Sequence, residues 1–317
     1  MTLLDVRGLT TEFVTPGGRA VRAVDGLSFS LARGEALGIV GESGCGKTTA
    51  VLSLLRLLPP AGRIVAGEAL IEGEDILALD RESLRRRRWS DLSIVFQGAM
   101  NALNPVRTVG DQIREAILAH ERVGREAADK RVGALLEQVG IAAWRADQYP
   151  HQYSGGMRQR AMIAMALACD PQLIIADEPT TALDVMIQAQ IIKLLDRLRE
   201  ELNLGLIVVT HDLGLVAALC QKVLVMYGGR LAEYGPVDEV FDRPRHPYTQ
   251  RLLAAFPDIA RPDAALVGIP GAPPRLSDLP TGCRFHPRCH MAAERCRIED
   301  PAVRAVGPGH SATCHFV

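Results

Sequence analysis

At 317 residues and 48% hydrophobic content, the chain can bury a real core and has room for one large domain plus a smaller one. Its 36 Lys+Arg against 37 Asp+Glu exclude the global positive field of a nucleic-acid or anionic-membrane binder. The first residues lack the basic start and apolar core of a signal peptide. The longest apolar run, Ala161 to Cys169, is half of the roughly 20 residues a bilayer crossing takes, so membrane contact is expected only through a partner.

In chain order, residues 3–13 and 22–31 read as strands joined by a turn at Thr15-Pro16-Gly17-Gly18, an antiparallel flap. Ala36-Leu37-Gly38-Ile39-Val40 is a buried strand, and Thr49-Ala50-Val51-Leu52 opens a helix. Between them, Gly41-Glu42-Ser43-Gly44-Cys45-Gly46-Lys47-Thr48 fits the phosphate-binding pattern G-x-x-x-x-G-K-[ST]. Glycines let backbone N–H groups curl round a polyphosphate, and the helix N-terminus adds its positive dipole end. Lys47 is expected to meet the β- and γ-phosphates and Thr48 a Mg²⁺ ion. Gly41, Ser43, Gly44, Cys45, Gly46 and Thr49 complete the expected cradle for a nucleoside triphosphate.

Residues 66–79 give a short strand pair around Glu72-Gly73-Glu74-Asp75. Five arginines between Arg81 and Arg88 come without interleaved aromatics, so a solvated helix face is expected rather than a nucleic-acid patch. Ser93 to Gln97 is a buried strand with a polar end. From Val109 to about Asp147 the apolar spacing turns helical, which places an inserted helical subdomain at about residues 100–165. Strands at 173–176 and 205–209, each before a helix, imply a mainly parallel sheet covered on both faces. A hairpin closes at 222–234 around Gly228-Gly229. Composition shifts to Pro and Gly near Asp258, so the domains are expected at 1–257 and 258–317.

Tyr153-Ser154-Gly155-Gly156-Met157-Arg158-Gln159-Arg160 resembles the signature motif of ATP-binding cassette ATPases, and the helix is expected from Met157. A second anion site a hundred residues from the phosphate loop suggests a head-to-tail dimer. In it Ser154, Gly155 and Gly156 of one subunit cap the γ-phosphate held by the other. Leu173 to Thr180 is a hydrophobic strand ending in acids: Asp177 for Mg²⁺ beside Thr48, then Glu178 as general base for the attacking water. Asp184 matches the family's dimer-contact loop. His211 matches its switch histidine at the γ-phosphate, and Gln97 the residue linking the metal site to a membrane partner. Phe13 is the candidate for stacking on adenine, with a core role in the flap as the competing reading. All these motifs stand in the family's order over residues 3 to about 240. The resemblance implies an α/β fold: a cassette with a phosphate-loop core sheet, an antiparallel β flap and an inserted helical subdomain, followed by a small irregular Cys-rich extension.

Gln97-Gly98-Ala99-Met100-Asn101-Ala102-Leu103-Asn104-Pro105 and Arg243-Pro244-Arg245-His246-Pro247-Tyr248-Thr249 look like dipeptide and oligopeptide importer ATPases. Cys283, Cys289, Cys296 and Cys314 complete that match, and in that family this pattern binds a [4Fe-4S] cluster. The spacings fit neither zinc ribbons nor ferredoxins. Zinc, joined by His286, His290 or His315, and free thiols or disulfides therefore remain open readings. The site is expected to brace the tail. The resemblance further implies a second ATPase subunit, two transmembrane permeases and an extracytoplasmic binding protein, with this chain on the cytoplasmic face of the inner membrane. Nickel or another small solute is the runner-up cargo. A cassette acting on DNA or ribosomes fits less well, since neither a coiled-coil insertion nor a second cassette is present; a regulatory ATPase with no membrane partner is disfavoured by Gln97 and the stretch after it.

Overall fold

Long runs of alternating Leu, Val and polar residues make Thr2–Val14 (β1) and Ala20–Ala32 (β2) strands, joined by the expected turn. With Gly62–Ile71 (β4) and Glu74–Asp75 (β5) they form a four-stranded sheet in the order β2-β1-β4-β5. β1 and β4 are antiparallel, with Leu4 opposite Ile71 and Phe13 opposite Gly62. The computed structural model describes residues 2–96, 98, 102–255 and 268–317. Gln97, residues 99–101 of the stretch after it and the expected domain boundary lie outside the described residues.

The chain divides into two compact bodies. The first holds residues 2–31, 37–77 and 209–317. Besides the flap it carries Ala36–Val40 (β3), which is buried at every position and leads into the helix Lys47–Leu54 (α1). β3 pairs in parallel with Lys222–Tyr227 (β9), which turns at Gly228-Gly229 into antiparallel Arg230–Pro236 (β10). The tail then extends the same sheet. His310–Thr313 (β12) pairs with β10, and Val303–Gly307 (β11) with β12, giving the order β11-β12-β10-β9-β3. An irregular tail was the sequence expectation. A buried ladder of polar groups explains the difference: Glu233 of β10, fully buried, lies 2.8 Å from His310 Nε2 and accepts the N–H groups of Arg245 and His246 at 2.8 and 2.9 Å.

The second body holds residues 32–36 and 78–208. Leu92–Val95 (β6), Leu173–Asp177 (β7) and Gly205–Val209 (β8) run in the order β8-β7-β6, with β6 parallel to β7. β7 and β8 are buried throughout, as strands covered on both faces must be. The expected helical subdomain is Val109–His120 (α3) and Arg125–Gln138 (α4), packed with a 3₁₀ turn at Ala143–Asp147. Thr108 starts α3 by accepting the Asp111 N–H at 3.1 Å. Ile113, Ile117, Val132, Leu135 and Leu136 are buried, each stabilising the subdomain by about 1.5–3 kcal/mol. The arginine run forms Arg81–Arg87 (α2), which buries only Leu84 and pairs Arg85 with Glu82 and Arg87 with Asp91, the solvated face expected.

Candidate functional site

The phosphate loop needs glycine for reasons the backbone makes plain. Gly41 has φ 148° and Gly46 φ 106°, both in the region L side chains avoid. A Cβ at Gly41 would sit 2.3 Å from the Met226 carbonyl oxygen, and one at Gly46 2.2 Å from that of Ala23. α1 then begins at Lys47 with Gly46 at its N-cap and no side chain capping it, so no cap side chain takes up its first N–H groups, the arrangement a helix N-terminus offers an anion. Ser43, Gly44 and Thr48 are exposed, and Thr49 is half-buried. Lys47 Nζ donates to the Gly41 and Glu42 carbonyls at 2.7 and 3.2 Å, folded back over the loop. Cys45 is 4% exposed, and burial pushes its thiol up, which fits a packing role better than a redox one.

The same body holds Phe13 and His211. Phe13 is half-buried near the end of β1, its ring edge against Gly62. Exposed His211 follows Thr210, whose N–H donates to the Ile39 carbonyl of the phosphate-loop strand at 3.1 Å. Asp212 then caps the helix Leu213–Leu219 (α7) through the Gly214 and Leu215 N–H groups.

The second body carries the acids and the signature. Asp177 ends β7 and is 2% exposed. Glu178 follows at φ 51°, a left-handed conformation that costs a non-glycine residue roughly 1–2 kcal/mol. Thr181 holds it there, donating from Oγ1 to Glu178 Oε2 and from N–H to the Glu178 carbonyl, both at 3.2 Å. Ser154 caps the helix Gly155–Ala166 (α5) by accepting the Met157 N–H at 3.3 Å. The helix therefore starts two residues before the expected Met157, because Ser154 is itself the cap and Gly155 and Gly156 are its first turn. Gly156 is buried, and a Cβ there would lie 2.7 Å from Ile187 Cγ2 on the helix Val185–Leu202 (α6). Asp184 caps α6, accepting the Ile187 N–H at 2.9 Å. The two motifs expected at a dimer face thus meet within one body, beside the highly exposed Val185 and Met186.

Residues 24–181 match the model of the ABC transporter family. The dipeptide transport ATP-binding protein DppD of Escherichia coli K12 is 46% identical over 318 residues, covering 100% of this chain and 97% of that protein. The oligopeptide transport ATP-binding protein OppD of Salmonella typhimurium LT2 is 48% identical over 314 residues, covering 98% and 93%. The chain belongs to the ABC transporter ATPases. Among solved structures, the dimeric cassette MJ0796 in a post-hydrolysis state bound to ADP and Pi matches with a TM-score of 0.66 at 28% identity, covering 74% of this chain and 98% of that one. The cassette cbiO1 of Clostridium perfringens, part of the transporter complex cbiONQ, matches with a TM-score of 0.65 at 30% identity, covering 76% and 91%. This ABC ATPase also matches, at residues 232–296, the C-terminal region of oligopeptide/dipeptide transporters. No helix among the described residues is long and apolar enough to cross a membrane.

In the extension of the cassette, burial pushes the Cys283 thiol up to about 11 and raises those of Cys289 and Cys314. Cys283 feels the charges of Cys289, Cys296 and Cys314, so the four thiols are electrostatic neighbours, and the Cys283 N–H donates to the Cys296 carbonyl at 2.8 Å. Among the described residues no group of three or more His, Cys, Asp or Glu side chains is arranged to hold a metal ion. His286 Nδ1 lies 2.9 Å from the Cys283 carbonyl and His315 Nε2 2.9 Å from that of Glu299. The sequence reading missed what lies between the cysteines: Arg284 pairs with Asp25 of the flap, and Arg288 with Glu42 of the phosphate loop. Lone arginines in a Pro-rich tail carry no periodic signal that would single them out.

Proposed function

We propose that this chain is the ATP-hydrolysing subunit that powers import of dipeptides or oligopeptides. Full-length similarity to DppD and OppD, reaching through the C-terminal region, carries the reading. Nucleotide phosphates lie in the cradle of Gly41 to Thr49, with Lys47 as the point charge and Phe13 stacked on adenine. The Thr48 hydroxyl and Asp177 carboxylate are hard oxygen donors of the kind Mg²⁺ takes, joined by Gln97, and the ion supplies charge neutralisation at the phosphates. Glu178 orients and deprotonates the attacking water, and His211 touches the γ-phosphate. Ser154, Gly155, Gly156 and Asp184 act on the nucleotide of a second cassette. The contact between Gly156 and the helix that Asp184 caps supports that pairing, as does the dimeric form of MJ0796.

In this reading the subunit sits at the cytoplasmic face of the inner membrane, docked on two permeases that a binding protein supplies. Cys283, Cys289, Cys296 and Cys314 would hold a [4Fe-4S] cluster in this reading, which is supported by the electrostatic proximity of the Cys283 thiol to the other three. Iron, sulfide and zinc analysis with a visible spectrum on anaerobically purified protein tests the cluster; zinc-rich protein without sulfide overturns it. For the main reading, membrane vesicles holding the reconstituted transporter should take up labelled dipeptide or oligopeptide only with ATP. Uptake that continues after Glu178→Gln has stopped hydrolysis refutes it.

A further inference from the structure

Glu42, second residue of the phosphate loop, is held from beyond the hairpin by two side chains that no loop motif contains. Arg288 donates from Nη1 to Glu42 Oε2 at 2.6 Å and from Nη2 to Oε1 at 2.9 Å, a bidentate pair. The Tyr248 hydroxyl accepts the Glu42 backbone N–H at 2.9 Å. Arg288 is fixed in turn: Nε donates to the Pro270 carbonyl at 2.8 Å, Nη1 to the Tyr227 hydroxyl at 3.3 Å, and its side chain is only 5% exposed. Tyr227, Tyr248 and Phe285 pack with ring centroids 4.6–5.4 Å apart, so the clamp rests on a rigid aromatic base.

What Glu42 does passes to the rest of the loop. Its carbonyl accepts the Cys45 N–H at 3.3 Å and Lys47 Nζ at 3.2 Å. A carboxylate beside a polyphosphate site also repels the ligand unless it is neutralised. We propose that Arg288, supported by Tyr248, is a positioning residue for nucleotide: from the C-terminal extension it neutralises Glu42 and fixes the shape of the phosphate loop. This rests on the reading of Gly41 to Thr48 as the nucleotide site. The extension therefore sets nucleotide affinity, and Cys289, the next residue, ties the clamp to the thiol site.

The test measures equilibrium binding of fluorescent Mg-ADP and steady-state hydrolysis on the full chain. Arg288→Ala should weaken binding within the roughly 5- to 150-fold range common for coupled sites, raising KM with little change in kcat. Glu42→Gln in that background should recover part of the affinity, because no carboxylate is left to repel phosphate. Arg288→Lys, which keeps the charge and loses the bidentate geometry, should fall between wild type and Arg288→Ala, and serves if the alanine variant does not fold. Wild-type affinity in Arg288→Ala and Arg288→Lys, with only thermal stability lowered, overturns the proposal; so does a double variant that binds no better than Arg288→Ala. Lys47→Ala is the control: if it binds nucleotide normally, the phosphate-loop reading itself fails, whatever Arg288 does.

Discussion

His246 caps the helix Pro247–Ala254 (α8) with a ring that has to stay neutral. It is 4% exposed, and its Nδ1 accepts the Tyr248 N–H at 3.0 Å, which a protonated nitrogen cannot do. Burial lowers its pKa from 6.5 to about 4, with a hydrogen bond to the Thr313 backbone pulling weakly the other way. The unfolded chain therefore binds the extra proton first. Stability present above pH 6.5 is lost as pH falls toward 4. With those two values, going from pH 7.5 to pH 5.0 costs about 2 kcal/mol, and the full window about 3 kcal/mol. Hydrogen exchange of the 248–254 amides in wild type and His246→Asn reads this directly, since asparagine caps without titrating. The opening free energy should fall by about 2 kcal/mol more in wild type than in the variant over that pH step. Parallel falls would show that the His246 proton is not coupled to the docking of α8.

Glu178→Gln should keep ATP binding, slow hydrolysis by about 10²–10⁴-fold and accumulate a dimer in gel filtration with ATP; undiminished turnover removes the general-base role. Gly46→Ala forces a methyl to 2.2 Å from the Ala23 carbonyl, so nucleotide binding should vanish and stability drop by about 1–3 kcal/mol on urea titration. Glu233→Ala orphans the N–H groups of Arg245 and His246, at about 1–3 kcal/mol each, and should free the tail to limited proteolysis; a tail as resistant as wild type would show that the Glu233 network does not hold it. Asp184→Ala should cost about 1 kcal/mol as a lost cap and weaken ATP-dependent dimerisation; a capping loss with dimerisation intact would take Asp184 off the interface.

Local patterns carried most of the fold. The flap strands, the phosphate loop between β3 and α1, the inserted α3 and α4, and β7 ending in Asp177 are each written as a run of periodic apolar residues with a cap or glycine at its end. Such signals are legible because the residues that make them are neighbours in the chain. The start of α5 was misplaced by two residues, since a cap serine followed by two glycines reads equally well as a loop. The left-handed φ of Glu178 has no sequence signal either, because its side chain does not favour that conformation.

What the sequence determined by itself is local: a glycine-rich loop between β3 and α1, two acids at the end of β7 and four late cysteines, each identified by residue types at short spacing. Only the tertiary structure decided that the tail pairs β12 onto β10 and reaches the cradle through Arg288 and Glu42, 246 positions apart. Ion pairs and strand pairings over such distances depend on where packing brings the chain back. No local period records that, so the contact became visible only once the buried aromatics beneath the loop were in place.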